Sequence, residues 1–143
     1  MNGLDVLRGM QAGELPGAPI AETLGMDLVE VDEGRVVFEA DPTERLFNPA
    51  GTVHGGFAAT MLDSAMACAV HTTLPEGDVY TTVDLSLKIV RTITPAAGRL
   101  RAEGTIVHVG GRVGTAEGRL TGADGRLYAH GSTTCFITRG ATR

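Results

Sequence analysis

The stretch Asn48-Pro49-Ala50-Gly51-Thr52-Val53-His54-Gly55-Gly56 runs directly into Phe57-Ala58-Ala59-Thr60-Met61-Leu62-Asp63-Ser64-Ala65-Met66-Ala67-Cys68-Ala69-Val70. A polar, glycine-rich turn feeds a long apolar segment. Phe57, Ala58, Met61, Leu62, Ala65, Met66, Ala69 and Val70 recur at helical spacing and predict a helix over 54–73. Asp63 is its only acid, and its helical neighbours Ala59, Met66, Ala67 and Val70 are apolar. A helix apolar nearly all round is covered on more than one side. A sheet can supply one cover, and a second copy of the chain is a natural candidate for the other. Burying an unpaired charge is costly. Asp63 sits mid-helix and cannot cap its own helix, so it needs a partner from elsewhere or a chemical purpose.

Downstream the pattern switches to period two. Val79, Thr81, Val83, Leu85, Leu87 and Ile89 are expected on one face of a strand, with Tyr80, Thr82, Asp84, Ser86 and Lys88 on the other. Three more strands are expected at 99–109, 112–121 and 126–137, joined by the turns Gly110-Gly111 and Ala123-Asp124-Gly125. Upstream, 26–31 and 35–40 flank the turn Asp32-Glu33-Gly34 and read as a hairpin. Residues 41–52 form a loop. Residues 3–12 predict a short, loosely docked helix, broken at 13–19 by two prolines, and 20–24 one further helical turn. Short turns imply antiparallel neighbours. The expected class is α+β, an antiparallel sheet of about six strands curled around one long central helix. The chain then divides into an N-terminal extension (1–19), a single domain (20–138) and a short C-terminal tail (139–143).

The 143 residues are enough for one domain with a real core. A net charge of −5 argues against a nucleic-acid binder, although a few local arginines could still hold an anionic small ligand. Cys68 and Cys135 have no metal-ligand spacing and read as reduced, buried thiols. His71, His108 and His130 show no metal spacing with Asp63 or one another, so no metal site is expected. The N-terminus lacks a signal-peptide pattern, and no run reaches the ~20 apolar residues of a membrane span. A soluble cytoplasmic protein is the expectation.

Several residues carry candidate chemistry. Gly55 and Gly56 stand where the helix begins, and helix N-termini present unpaired N–H groups and positive potential. Such amides can polarise a carbonyl as a backbone oxyanion hole; the two glycines could equally serve a tight helix–sheet approach. His54 could shuttle a proton or be structural. Asn48, before a proline, could simply shape a turn. Thr82 could orient a water or face solvent. Ser64 lacks the Gly-x-Ser-x-Gly context of a nucleophile. Arg112, directly after Gly110-Gly111, is the best phosphate candidate, with backbone N–H groups and a guanidinium fork side by side.

Taken together, Asn48-x-x-Gly51-x-x-His54-Gly55-Gly56, then Asp63-Ser64-Ala65, then Tyr80-Thr81-Thr82-Val83-Asp84-Leu85 resemble the hotdog-fold acyl-CoA thioesterases. The likeness is to their PaaI-like, phenylacetic acid degradation and 4-hydroxybenzoyl-CoA thioesterase-related branch, and covers residues 20–138. It implies a hotdog fold whose curved sheet wraps the helix. It implies a homodimer that shares its active sites, with dimers often pairing into a homotetramer. It also implies hydrolysis of an aromatic or medium-chain acyl-CoA to free acid and CoA, with no cofactor, since CoA is part of the substrate. The Gly55 amide would polarise the thioester carbonyl, with Gly56 beside it. Asp63, coming across the interface, would act as general base on water or as nucleophile through an anhydride. Thr82 would orient the acid or the water, and Asn48 and His54 would contact the thioester and its sulfur. CoA would run past Arg91 and the turn Gly110-Gly111-Arg112. Many related enzymes carry Glu at the helix position and some a Thr four residues on; here these are Asp63 and Ala67, which favours the water-mediated route.

Two other readings remain at this level. Hotdog hydratases and dehydratases use an Asp–His pair near the helix start, whereas Asp63 lies nine residues beyond His54. A non-catalytic acyl-CoA-binding module is the other, against which the chain shows no basic helix.

Overall fold

The computed structural model describes residues 1–140. Two short helices, α1 (Gly3–Gln11) and α2 (Pro19–Leu24), precede the hairpin β1 (Asp27–Asp32) and β2 (Arg35–Ala40). The central helix α3 (Gly55–His71) comes next, then β3 (Val79–Ile89), β4 (Leu100–Val109), β5 (Val113–Thr121) and β6 (Leu127–Thr138). All six strands form one antiparallel sheet in the order β1-β2-β4-β5-β6-β3. The α+β architecture read from the sequence is therefore present, with strand boundaries shifted by one residue at most starts.

Helix α3 lies across the sheet. Ala58, Met61, Leu62, Ala65, Met66, Ala69 and Val70 are fully buried. The closest approach is at Gly104 of β4, where a Cβ would stand 2.4 Å from the Ala65 carbonyl. Backbone atoms of a buried helix cannot yield that space, so glycine is required there. Gly114 and Gly118 of β5 similarly make room for Val70 and Met66.

The even alternation expected along β3 breaks in the middle. The β3–β6 register shifts between Thr82 and Asp84. This β-bulge inserts Val83 as an extra residue and reverses the facing of the downstream half of the strand. Tyr80 and Thr82 point inward before the bulge, and Leu85 and Leu87 after it; Tyr80, Leu85 and Leu87 all pack against the core. Val79 and Val83 are exposed at 59% and 62%. The period-two reading put the valines with the leucines, and the bulge separates them.

The N-terminal helix is not loosely docked. Asn2 caps α1 by accepting the Asp5 N–H at 2.9 Å. The Gly3 N–H donates to the Leu74 carbonyl at 2.9 Å, and Leu7 is buried. By contrast α2 has no buried residue. At the other terminus, Arg139 and Gly140 are anchored. Arg139 Nη1 donates to the fully buried carboxylate of Asp78 at 2.6 Å, and the Gly140 N–H to the same group at 2.9 Å. Residues 141–143 of the expected tail lie outside the described residues. Among the described residues no helix is long and apolar enough to cross a membrane.

Candidate active site

Asp63 finds its partner on β3. The Thr82 hydroxyl donates to Asp63 Oδ1 at 2.9 Å. The helix supplies the acid and the inward face of the strand, upstream of the bulge, supplies the hydroxyl. Both line a cavity of about 700 Å³ between α3, β3 and the N-terminal helices. A cavity of that size is typical of a small-molecule site.

The second group stands at the start of α3. His54 is the N-cap, and its Nδ1 accepts the Gly56 N–H at 2.8 Å. In the neutral ring this leaves the proton on Nε2. A Cβ on residue 56 would lie 2.8 Å from that Nδ1, so the glycine lets the imidazole cap. Gly56, read as a substrate-binding amide, is therefore engaged by its own helix cap. The neighbouring Gly55 N–H has no partner among the described residues. The first turn of α3 holds no acid, so its positive potential is not offset by a local carboxylate. One unsatisfied amide at a helix N-terminus is suited to an anion or a developing oxyanion.

Gly55 and Asp63 are eight residues apart on one helix, about 12 Å at 1.5 Å per residue. Within one chain the two groups therefore stand well apart along the helix axis.

Asn48 shapes the loop that leads into α3. Its Oδ1 accepts the N–H groups of Ala50 and Thr52 at 2.9 and 3.3 Å, and its Nδ2 donates to Thr52 Oγ1 at 2.9 Å. Its carboxamide is thus engaged within the loop, as an Asx turn. The Gly110-Gly111 turn, expected to contact phosphate, also makes bonds within the chain. The Gly110 N–H closes the hairpin on the Val113 carbonyl at 2.8 Å, and the carbonyls of Gly110 and Gly111 accept from Arg139, each at 2.7 Å. The turn is held by an arginine that no motif or spacing singled out. Arg112 and Arg91 are exposed and lie outside the Asp63 cavity.

The far part of the cavity holds groups that sequence reasoning missed. His71, two turns beyond Asp63, packs its ring on that of Tyr80 with centroids 4.8 Å apart. Burial lowers the His71 pKa and raises that of Tyr80, so both stay neutral. Burial also pushes the Cys68 thiol up to about 12, which keeps it protonated and unreactive. The available signal was positional: His71 follows Asp63 by eight residues on a helix, and Tyr80 precedes Thr82 by two on a strand. Nothing in the composition of 1–28 pointed to this cavity. Among the described residues no group of three or more His, Cys, Asp or Glu could hold a metal ion.

Residues 50–129, more than half of the chain, match the thioesterase superfamily. The chain belongs to that family. An esterase-named protein of Halobacterium salinarum is 36% identical over 99 residues, 66% of this chain and 64% of that protein, so the match spans less than two thirds of the relative. The 1,4-dihydroxy-2-naphthoyl-CoA hydrolase of Listeria monocytogenes is 23% identical over 91 residues, 64% of this chain and 72% of that one. A solved structure from Ralstonia eutropha JMP134, described as a phenylacetic acid degradation-related thioesterase, is 32% identical with a TM-score of 0.83. It covers 92% of this chain and 98% of its own. The hotdog fold implied by the His54-Gly55-Gly56 and Asp63 motif is the fold of this superfamily member.

Proposed function

We propose that the protein hydrolyses acyl-CoA thioesters at a site shared between two copies of the chain. The observation that carries this reading is the separation of the two reactive groups. A hydroxyl-held carboxylate lines a cavity, and an unsatisfied helix-start amide stands about 12 Å away along the same helix. An antiparallel pairing of two copies would bring Asp63 of one against Gly55 of the other. The Listeria relative, named as a CoA-thioester hydrolase, supports the chemistry.

In this mechanism Thr82 occupies Asp63 Oδ1 and leaves Oδ2 to take a proton from water. The water oxygen attacks the thioester carbon. The oxyanion that forms is stabilised by the Gly55 N–H and the positive end of α3. Collapse breaks the C–S bond, and the CoA sulfur leaves as a thiolate that accepts a hydrogen bond from His54 Nε2–H at the helix start, while the proton that Asp63 took from water passes to the thiolate through solvent. The exposed guanidiniums of Arg91 and Arg112 are assigned to the CoA phosphates. His54 Nδ1 is already a helix cap, which weighs against the Asp–His pair of a hydratase.

A hydrolysis screen over aromatic, straight-chain and hydroxylated acyl-CoAs tests the reading. Asp63→Asn is expected to lower kcat by about 10²–10⁴-fold with the oligomer intact by sedimentation. Full activity in Asp63→Asn would sink the mechanism. A single turnover in heavy-oxygen water, followed by mass analysis of Asp63, separates the routes: label in the carboxylate would mean an anhydride.

A further inference from the structure

Resting on that reading, we propose that Arg139 and Asp78 are a positioning pair that holds the β4–β5 turn in the shape that receives a phosphate group of CoA. Asp78 precedes β3 and Arg139 follows β6. The Asp78 carboxylate is fully buried; its Oδ2 accepts from Arg139 Nη1 at 2.6 Å and its Oδ1 from the Gly140 N–H at 2.9 Å. A carboxylate bonded at both oxygens and shielded from water fixes the plane of a rigid guanidinium. The other nitrogens of Arg139 are aimed at the turn. Nε donates to the Gly111 carbonyl and Nη2 to the Gly110 carbonyl, each at 2.7 Å. Neutralising Asp78 alone requires neither of those bonds.

These bonds decide which way the peptide planes of the turn face. In a trans peptide the N–H points opposite the carbonyl, and the described residues contain no cis bond. With the carbonyls of Gly110 and Gly111 turned to Arg139, the N–H groups of Gly111 and Arg112 are turned away from it. Neither N–H has a partner among the described residues. Two successive free amides beside the exposed Arg112 guanidinium form a cradle for an anion. The two glycines would not hold that arrangement alone. They leave the plane between them free to turn over, and a Cβ at Gly111 would meet nothing within 4 Å. The reversed plane would present a carbonyl, which repels phosphate, where the Gly111 amide stood. The turn also lies at the Asp63–Thr82 end of the sheet. Val113, Phe136 and Thr81 share one register row, so the turn stands about 10 Å, two strand spacings, from the strand that carries Thr82. The turn falls within the family match at 50–129, and Arg139, which sets it, lies beyond that match.

The test compares S-phenacyl-CoA with S-phenacyl-pantetheine, thioethers that cannot be hydrolysed and that differ only in the phosphate-bearing nucleotide. Binding is read by calorimetry and so does not depend on turnover. Arg139→Lys keeps a cation for Asp78, but a single ammonium cannot also hold both carbonyls in the plane of the fork. Its thermal melt should stay near that of the parent protein. It should weaken the CoA analogue by at least about tenfold and leave the pantetheine analogue unchanged. Arg139→Gln leaves a buried carboxylate without its cation and should lose at least as much affinity for the CoA analogue. A purely structural role for Arg139 would weaken both analogues alike or neither, and either result in Arg139→Lys would overturn the positioning pair. Equal affinity of the parent protein for the two analogues would overturn it as well. Loss of the CoA preference in the variants of a protein that hydrolyses no thioester would instead overturn the proposed function and leave the pair standing.

Discussion

At one edge of the sheet, β1 presents Asp27, Glu30 and Asp32, and every one of them meets an arginine. Arg99 reaches Asp27 at 2.6 Å and Glu39 at 2.9 Å; Arg35 reaches Glu30 and Asp32 at 3.2 and 3.1 Å; Arg101 pairs with Glu30 and, at 3.1 Å, with Glu39. At the other edge, β3 is nearly twice as long, 11 residues against six, and exposes Val79, Val83 and Ile89, with Val90 just beyond. Only Asp84 and Lys88 interrupt its exposed length with charge. An edge strand carries unpaired N–H and C=O groups that invite another strand, and charges are one way to blunt it. The β1 edge is built to stay in water. The β3 edge is not blunted in that way, and it lies next to Asp63, which the proposed function pairs with the Gly55 amide of a second copy. Under the proposed function, β3 is the edge at which two copies would meet.

The largest test of this contrast is to charge the apolar edge. Val83→Lys is expected to yield monomers by sedimentation, and kcat/KM is expected to fall by about 10²–10³-fold, the loss from removing one oxyanion-hole donor. Retention of both dimer and activity would break the comparison. Thr82→Val, on the inward face of the same strand, keeps the shape and removes the bond to Asp63. Steady-state kinetics should show kcat lowered about tenfold, with KM little changed. On the charged edge Arg99→Ala should cost below about 1 kcal/mol in urea denaturation, as exposed pairs do, with activity unchanged. The smallest effect concerns acid. The hydrogen bond from Arg101 holds the Glu30 carboxyl below its ordinary 4.5. A depressed carboxylate stabilises the fold above its unfolded pKa, and that contribution is lost as pH falls through the lowered folded value. Thermal melts of Arg101→Gln should therefore show a shallower loss of stability on the acid side than the parent protein.

Much of this was legible in the chain. The long helix, the six strands and the turns could be read from periodicity and glycine placement, because α3 is apolar at helical spacing and the hairpins have short glycine turns. Asp63 stood out because a lone acid in an apolar helix requires an explanation. Thr82 was read on the polar face of its strand with Asp84, Ser86 and Lys88, whereas it points inward on the side of Leu85 and Leu87. The bulge at Val83 has no signature in an alternating run of threonines and valines, since an inserted residue shows only as a change of register against β6. Asn48, Gly56 and the Gly110-Gly111 turn were read as ligand contacts. They have the right composition, and only coordinates show the bonds within the chain that the Asn48 carboxamide, the Gly56 N–H and the Gly110 and Gly111 carbonyls also make.

The sequence by itself determined the element types and the two chemical poles, an acid mid-helix and a glycine at the helix start, because both depend on local spacing. Tertiary structure decided what lies between them. Thr82 reaches Asp63 because β3 runs beside α3. His71 and Tyr80 close the far end of a cavity because α1 and α2 fold back over it. The N–H of Gly55 stays free because His54 takes that of Gly56. Most of this depends on contacts between residues distant in the chain, which packing creates and local pattern does not encode.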